Sequence, residues 1–344
     1  MKIKTAGVLF SAVGLIFLIL ITANPKICAD GAAEGLLISG RVIIPSLFPF
    51  TVCVLFCMRA GLFDIFGTAD RAFARIFRTP RGMLPSVLFS FIGGYPIGAK
   101  LLNEAVKSKK ISPENAGIML CWCVNAGPAF VVSAVGTGVF RQQKAGVCLL
   151  AAHIASAVLI GFFGRLFMKP EKGGTAAKHK ISAADNFVLS VSDAANAVSG
   201  ICAYVIFFSA VTAFAENAGV PLWLSSLLEV TNGISKTRNL DFTAFLLGFS
   251  GLCIWCQVIS VSRLIKINYP LFFAARITHG ILSVFAECLI IKAFGISVPV
   301  LSSAVSKPFY GSAALSVSLL CTVIVLLITV YTKNSTGNIA DDIV

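Results

Sequence analysis

Charge is what this sequence has least of. Asp, Glu, Lys and Arg make up 12% of its 344 residues, whereas 57% are hydrophobic and the mean hydropathy is +0.90. A water-soluble domain carries about 25% charged residues, so a soluble fold is excluded. Several runs reach the ~20 apolar residues that cross ~30 Å of hydrocarbon, which describes an all-α polytopic membrane protein in contact with the lipid bilayer. The chain also lacks a G-x-x-x-x-G-K-[ST] loop, so it encodes no ATP-driven motor. No Ser/His/Asp set, H-E-x-x-H or paired-carboxylate motif occurs, and the protein is read as a non-enzyme.

Acidic residues are fewer than basic ones, 15 against 28, for a net charge of +13. The basic residues fall in short loops between apolar runs and form no aromatic-interleaved module, so no nucleic-acid polymer is expected as a partner. That placement is the one expected of topogenic signals facing anionic lipid. The eleven cysteines lie almost entirely in apolar runs, without the spacing of a secreted disulfide scaffold. Cys253-Ile-Trp-Cys256 and Cys121-Trp-Cys123 lack a second ligand pair, so they are read as packing residues with no metal and no cofactor.

What is present is a pair of interrupted segments. Phe91-Ile-Gly-Gly-Tyr-Pro-Ile-Gly-Ala-Lys100 and Leu228-Glu-Val-Thr-Asn-Gly-Ile-Ser-Lys236 each break an apolar run too short to span a bilayer. Glycine and Pro96 disfavour continued helix there. Inside a membrane such a break is tolerated only where protein or a water-filled cavity satisfies the freed backbone groups. Two such segments in corresponding halves point to a transporter-type binding site.

Taken in order, an uncleaved first helix runs from about Ala6 to Ala23 and a short loop carries Lys26, Asp30 and Glu34. A span from Leu36 to Met58, kinked by Pro45 and Pro49, follows. Arg71, Arg75 and Arg78 then recur at helical spacing beside Phe73 and Phe77, as in a helix lying on a membrane surface. The first broken hairpin runs from Met83 to Lys110. Ser112-Pro113-Glu114 opens a helix over about Asn115–Phe140, interrupted at Asn125-Ala-Gly-Pro128, before a span from Ala145 to Met168. The second half repeats this plan. It has a span from Phe187 to Ala215, a short run broken at Thr231-Asn232-Gly233, a span from Phe242 to Ser262 broken at Gly248–Gly251, and a span from Leu271 to Ile291. A last helix covers about Gly311–Tyr331.

Domain boundaries follow: 1–35 for the first helix, 36–168 for one half, 169–186 for a cytoplasmic linker, 187–292 for the other half, and 293–344 for the last helix and tail. With the amino terminus inside, nineteen of the 28 basic residues face the cytoplasm and seven face outward, which favours eight spans and two cytoplasmic termini. The two hairpins then enter from opposite sides, an inverted repeat.

Five residues are singled out as solute-binding. Glu229 is an acid in an apolar run, a functional position by default, and Asn232 lies one turn on; together they can hydrogen-bond a polar solute such as a sugar hydroxyl. The alternative is a local cap or ion pair near Lys236 and Arg238. Asn125 beside Gly127-Pro128, facing Tyr95, and Gln257 offer amides at mid-membrane, for a solute or for interhelical packing. Arg276, His279 and Glu287 share one late span, as a relay face or with Arg276 snorkelling to the inner surface, the reading preferred here. His153, alone in its span, is read as packed.

At Gly94-Tyr95-Pro96-Ile97-Gly98-Ala99-Lys100, Asn125-Ala126-Gly127-Pro128, Leu228-Glu229-Val230-Thr231-Asn232-Gly233 and Gly248-Phe249-Ser250-Gly251-Leu252 with Gln257, the sequence resembles the YlbJ-type sporulation integral membrane proteins. These carry the nucleoside-recognition or Gate domain also found in nucleoside and ferrous-iron transport proteins. Two motifs depart from the family: one asparagine stands before Ala126-Gly127-Pro128 instead of two before Ser-Gly-Pro, and Ser250-Gly251-Leu252-Cys253 replaces Gly-Gly-Leu-Ser. The resemblance implies a multi-pass protein of the bacterial inner (cell) membrane in a spore-former, with a role in spore cortex formation. The combined expectation is a transporter-like protein for a small polar, nucleoside-like solute. The alternative is a non-transporting scaffold that recruits membrane-protein partners, or further copies of itself, through its basic Arg59–Arg81 loop.

Overall fold

The computed structural model describes residues 2–60, 66–171 and 182–294. Regular structure among them is entirely helical. Helix α1 (Lys2–Ala23) meets α2 (Pro25–Ile38) at Asn24, and the axes of Gly14–Ala23 and Pro25–Ile43 differ by 104°. A π-helical turn, Ser39–Ile43, carries α2 into α3 (Ile44–Arg59). It precedes Pro45, whose missing N–H removes one helical bond.

The loop expected around Lys26, Asp30 and Glu34 is therefore helix. Gly31-Ala-Ala-Glu-Gly35 explains it: these two glycines face α9 (Ala183–Asn217). A Cβ at Gly31 would lie 2.7 Å from the Ala213 Cβ, and one at Gly35 would lie 2.7 Å from the Ile206 Cα. Small residues four apart let two backbones approach closely. The charges point elsewhere, Asp30 to the surface and Glu34 to within 3.9 Å of Lys236.

Helix α4 (Gly67–Phe77) is amphipathic as its spacing predicts, with Arg71, Arg75, Arg78 and Arg81 exposed in and just after it. Its aromatic side packs on protein: Phe73 stacks on Phe77 at 4.6 Å, and Phe77 on Trp122 at 5.1 Å. Buried Asp70 accepts from the amides of Gly82 and Leu84, fastening α4 to the next helix.

Helices α5 (Leu84–Gly93) and α6 (Ile97–Lys107) form the first hairpin. Ser112 caps α7 (Pro113–Leu120), its hydroxyl accepting from the Asn115 amide at 3.3 Å. The chain leaves the helix at Cys121, resumes as a π-helix over Ala129–Val139, and continues into α8 (Gln143–Gly164). After α9 come α10 (Leu222–Ser225), α11 (Val230–Thr237), α12 (Leu240–Phe249), α13 (Gly251–Val261) and α14 (Tyr269–Phe294). The element order thus recurs: long helix, short broken pair, broken span, long helix. The broken pairs cross over, α6 packing on α13 of the other half and α11 on the Ala129–Val139 π-helix.

Four helices among the described residues are long and apolar enough to cross a membrane: Gln143–Gly164, Ala183–Asn217, Leu240–Val261 and Tyr269–Phe294; the bent α1–α2 pair makes a fifth if taken as one span. The expected last helix over Gly311–Tyr331 with its tail, and positions 172–181 of the expected linker, lie outside the described residues.

The second hairpin corrects the sequence reading. Its break falls at residues 226–229, while Thr231, Asn232 and Gly233 are already helical. Glu229 is extended and outside the helix, so it cannot share a helix face with Asn232. It is the N-cap instead.

Candidate functional site

Every break frees backbone groups that a membrane interior cannot hydrate, so the partners of those groups locate the site. At the first tip, Gly94 adopts φ +75°, and a Cβ there would lie 2.8 Å from the Gly127 amide nitrogen. Hairpin tip and broken span meet backbone to backbone. In the second half, the amides of Leu252 and Cys253, at the start of α13, donate to the carbonyls of Leu227 and Leu228 at 2.9 Å each. These amides are the orphans of a helix start, and the neighbouring hairpin supplies their acceptors.

The remaining groups are served across the halves. Arg276, from α14, is fully buried and donates to the carbonyls of Val124 (2.6 Å) and Cys121 in the first break. Tyr95, from the first tip, donates its hydroxyl to the Leu247 carbonyl (2.9 Å), beside the second break. His153 of α8 accepts from the Ala126 amide through Nε2 at 3.0 Å, and its ring stacks on His279 of α14 with centroids 4.5 Å apart. His279 directs Nε2 at the His153 carbonyl, 3.0 Å away. With carbonyl and amide fixing the roles, His279 carries its proton on Nε2, and neutral His153 carries its proton on Nδ1.

These contacts overturn one expectation and bear out another. Arg276 does not snorkel, because two carbonyls of an interrupted helix hold it in the interior. His153 is packed as expected, with His279 as its neighbour. The signal was available as Arg276 and His279 at i, i+3 spacing in an apolar run, but reading it required knowing that the break at Cys121–Val124 would present carbonyls to that face.

Between the two tips lies a cavity of about 130 Å³. Its walls come from Val42 and Ile43 on the Ser39–Ile43 turn, Leu47 and Phe50 on α3, Ile201 and Val205 on α9, and Ala129 and Phe130 after the first break. Gly93 to Tyr95 close it from one hairpin, Glu229 to Thr231 from the other, and Ile254 and Gln257 from α13. One water needs about 10–15 Å³ of such space, so the cavity admits several waters or a small solute.

Three of the five singled-out residues line it: Tyr95, Glu229 and Gln257. Glu229 is 2% exposed, and its oxygens accept from the amides of Thr231 (3.1 Å) and Asn232 (2.7 Å), capping α11. A carboxylate has about four acceptor positions, so two amides leave acceptor capacity for a further donor. The Gln257 amide donates to the Cys253 sulfur at 3.3 Å. The other two residues lie outside the cavity lining. Asn125 is buried behind the first break and donates to the Trp122 carbonyl at 2.9 Å, while Asn232 turns to the Ser209 hydroxyl of α9 at 3.2 Å. Phe50 and Phe130, which give the cavity its aromatic walls, carried no motif by which sequence alone would mark them. No disulfide joins the described cysteines.

No family model and no solved structure matches the chain. Among curated proteins, it is similar to the sporulation integral membrane protein YlbJ of Bacillus subtilis (strain 168), with 24% identity over 315 aligned positions covering 76% of this chain and 77% of that protein. The chain is thus a homologue of that protein, and the similarity supports the YlbJ-type resemblance carried by its broken-segment motifs.

Proposed function

We propose that this protein is a transporter-like carrier of the nucleoside-recognition type, in the inner membrane of a spore-forming bacterium. Its central cavity takes a small polar, hydroxyl-bearing solute such as a nucleoside. One observation carries the reading: a single cavity is lined by both hairpin tips, α3 and the turn before it, α9 and the segments that follow both helix breaks. The Glu229 carboxylate and the Gln257 amide supply hydrogen-bonding groups for hydroxyls, and Tyr95, Phe50 and Phe130 supply faces for a flat ring. The proposed frame has eight spans, halves of opposite orientation and both termini in the cytoplasm. It rests on loop charge and on the crossed packing of α6 on α13 and α11 on the Ala129–Val139 π-helix. The cellular role proposed is in sporulation, at spore cortex formation. The chemistry proposed is non-enzymatic.

The test is thermal unfolding of the purified protein with nucleosides, nucleobases and amino sugars. A ligand at 100 times its dissociation constant adds about 2.7 kcal/mol. The expected result is a raised midpoint for one solute class that Gln257→Ala reduces. No shift across the panel, in a protein that unfolds cooperatively, counts against the reading.

A second reading draws on α4. With its phenylalanines packed on Trp122, the helix presents Arg71, Arg75 and Arg78 to the surroundings. A scaffold that recruits partners there would lose function on neutralising those arginines and keep it with Gln257→Ala.

A further inference from the structure

Away from the cavity, the far end of α14 carries a carboxyl group that pairs with no Lys, Arg or His among the described residues. Glu287 is fully buried, at 0% exposure. Its Oε2 accepts from the Cys288 thiol at 3.6 Å, and its Oε1 is buried without a donor. The carboxyl group of Asp241, exposed in the first turn of α12, faces it: one ligand atom each from Asp241, Glu287 and Cys288 lie within 4.8 Å of one another. We infer that Asp241 and Glu287 form a proton-binding site that ties the start of α12 to the far end of α14.

The surroundings bear on the choice between a proton and other cations. From α12 comes Asp241, from α8 comes Cys148, and Cys288 stands beside Glu287 on α14. All are acids or thiols, and among the described residues no Lys, Arg or His pairs with either carboxylate. Glu287 is buried and faces a second carboxylate, and burial and like charge both favour one shared proton over two negative charges. Taken up from the aqueous face, that proton lets Glu287 donate to the Asp241 carboxylate. The pair's charge falls from two negatives to one, and the remaining charge rests on exposed Asp241, where water screens it. Calcium takes six to eight oxygen donors and zinc four, of which water can be one; with three protein groups present, a bound zinc is the competing outcome that the experiment separates from a proton.

The site bears on the rest of the molecule through α12. Six residues, about 9 Å, beyond Asp241 is Leu247, whose carbonyl holds Tyr95. Next is Gly248, where a Cβ would lie 2.6 Å from the Gly280 amide nitrogen of α14. Loss of the proton places like charges across the α12–α14 contact that holds the first tip in place. Resting on the transport reading, this makes the pair the coupling-ion site; the proton site itself does not depend on that reading.

The experiment is infrared difference spectroscopy of the purified full-length protein stepped through pH, without solute, so that a failed solute screen has no bearing on it. The expected wild-type spectrum contains a protonated-carboxyl C=O band that titrates with pH. The Glu287 component of that band, seen as the wild-type minus variant difference, is lost in Glu287→Gln and displaced in frequency in the exposed Asp241→Asn. Added Zn²⁺ leaves it unchanged. Identical acid bands in wild type and Glu287→Gln would overturn the proposal. So would one Zn²⁺ bound per chain through Glu287, which would make this a metal site.

Discussion

Arg276 is the residue on which the first half of the fold depends, although it belongs to the second. An arginine in an apolar helix is expensive unless its donors are engaged. Here they hold the carbonyls of Cys121 and Val124, which the interrupted helix leaves without amide partners. Arg276→Met strands both carbonyls in a buried site, at about 1–3 kcal/mol each. The expected outcome is a large drop in the unfolding midpoint, with Arg276→Lys intermediate because a single ammonium cannot reproduce the fork. Tyr95→Phe is milder. It removes the bond to the Leu247 carbonyl, worth about 0.5–1.5 kcal/mol, and keeps the ring in the cavity wall. Solute binding, read by the same midpoint shift, should survive it. Tyr95, Glu229 and Gln257 line the cavity, and they stand out in the sequence because breaks and intramembrane polar groups are visible as residue types. Asn125 and Asn232 stand out in the same way but lie outside the lining, because a side chain's direction depends on where each break begins. The second break begins at Ser226, five residues before Thr231, where the sequence reading put it.

At the scale of elements, glycine marks where broken segments touch. A Cβ on Gly98 of α6 would run into the Cys123 carbonyl oxygen and come within 2.7 Å of the Ser90 Cβ. Gly98→Ala must push α6 off the first break, and a loss of about 1–3 kcal/mol is expected. Gly200 of α9 has nothing within 4 Å of such an atom, so Gly200→Ala should leave the midpoint unchanged or raise it. Equal destabilisation by both would mean that the packing of α6 on the break does not hold the tip. Helix α2 shows why an element can be hidden in plain text. Lys26, Asp30 and Glu34 look like a loop when polarity is the only guide, yet Gly31 and Gly35 supply the close approach that α9 needs. Polarity reports exposure, and here one face is exposed while the other is packed.

At the scale of the whole molecule, the two halves share one order of elements and exchange their supports. Arg276 serves the first break, Tyr95 the second, and the hairpins cross onto each other's broken spans. The repeat of element types was legible in the spacing of apolar runs and breaks. The exchange was not, because it is a property of packing between segments more than 150 residues apart. The central claim, that the halves are inverted around one cavity, is tested most directly by the sidedness of the two hairpin turns. A protease site is inserted after Lys109, between α6 and α7, or after Arg238, between α11 and α12, each in the full chain. Both forms are then probed in protoplasts and in inverted vesicles. The account predicts that the first is cut only from the cytoplasmic face and the second only from outside. Cleavage of both from the same face would contradict it.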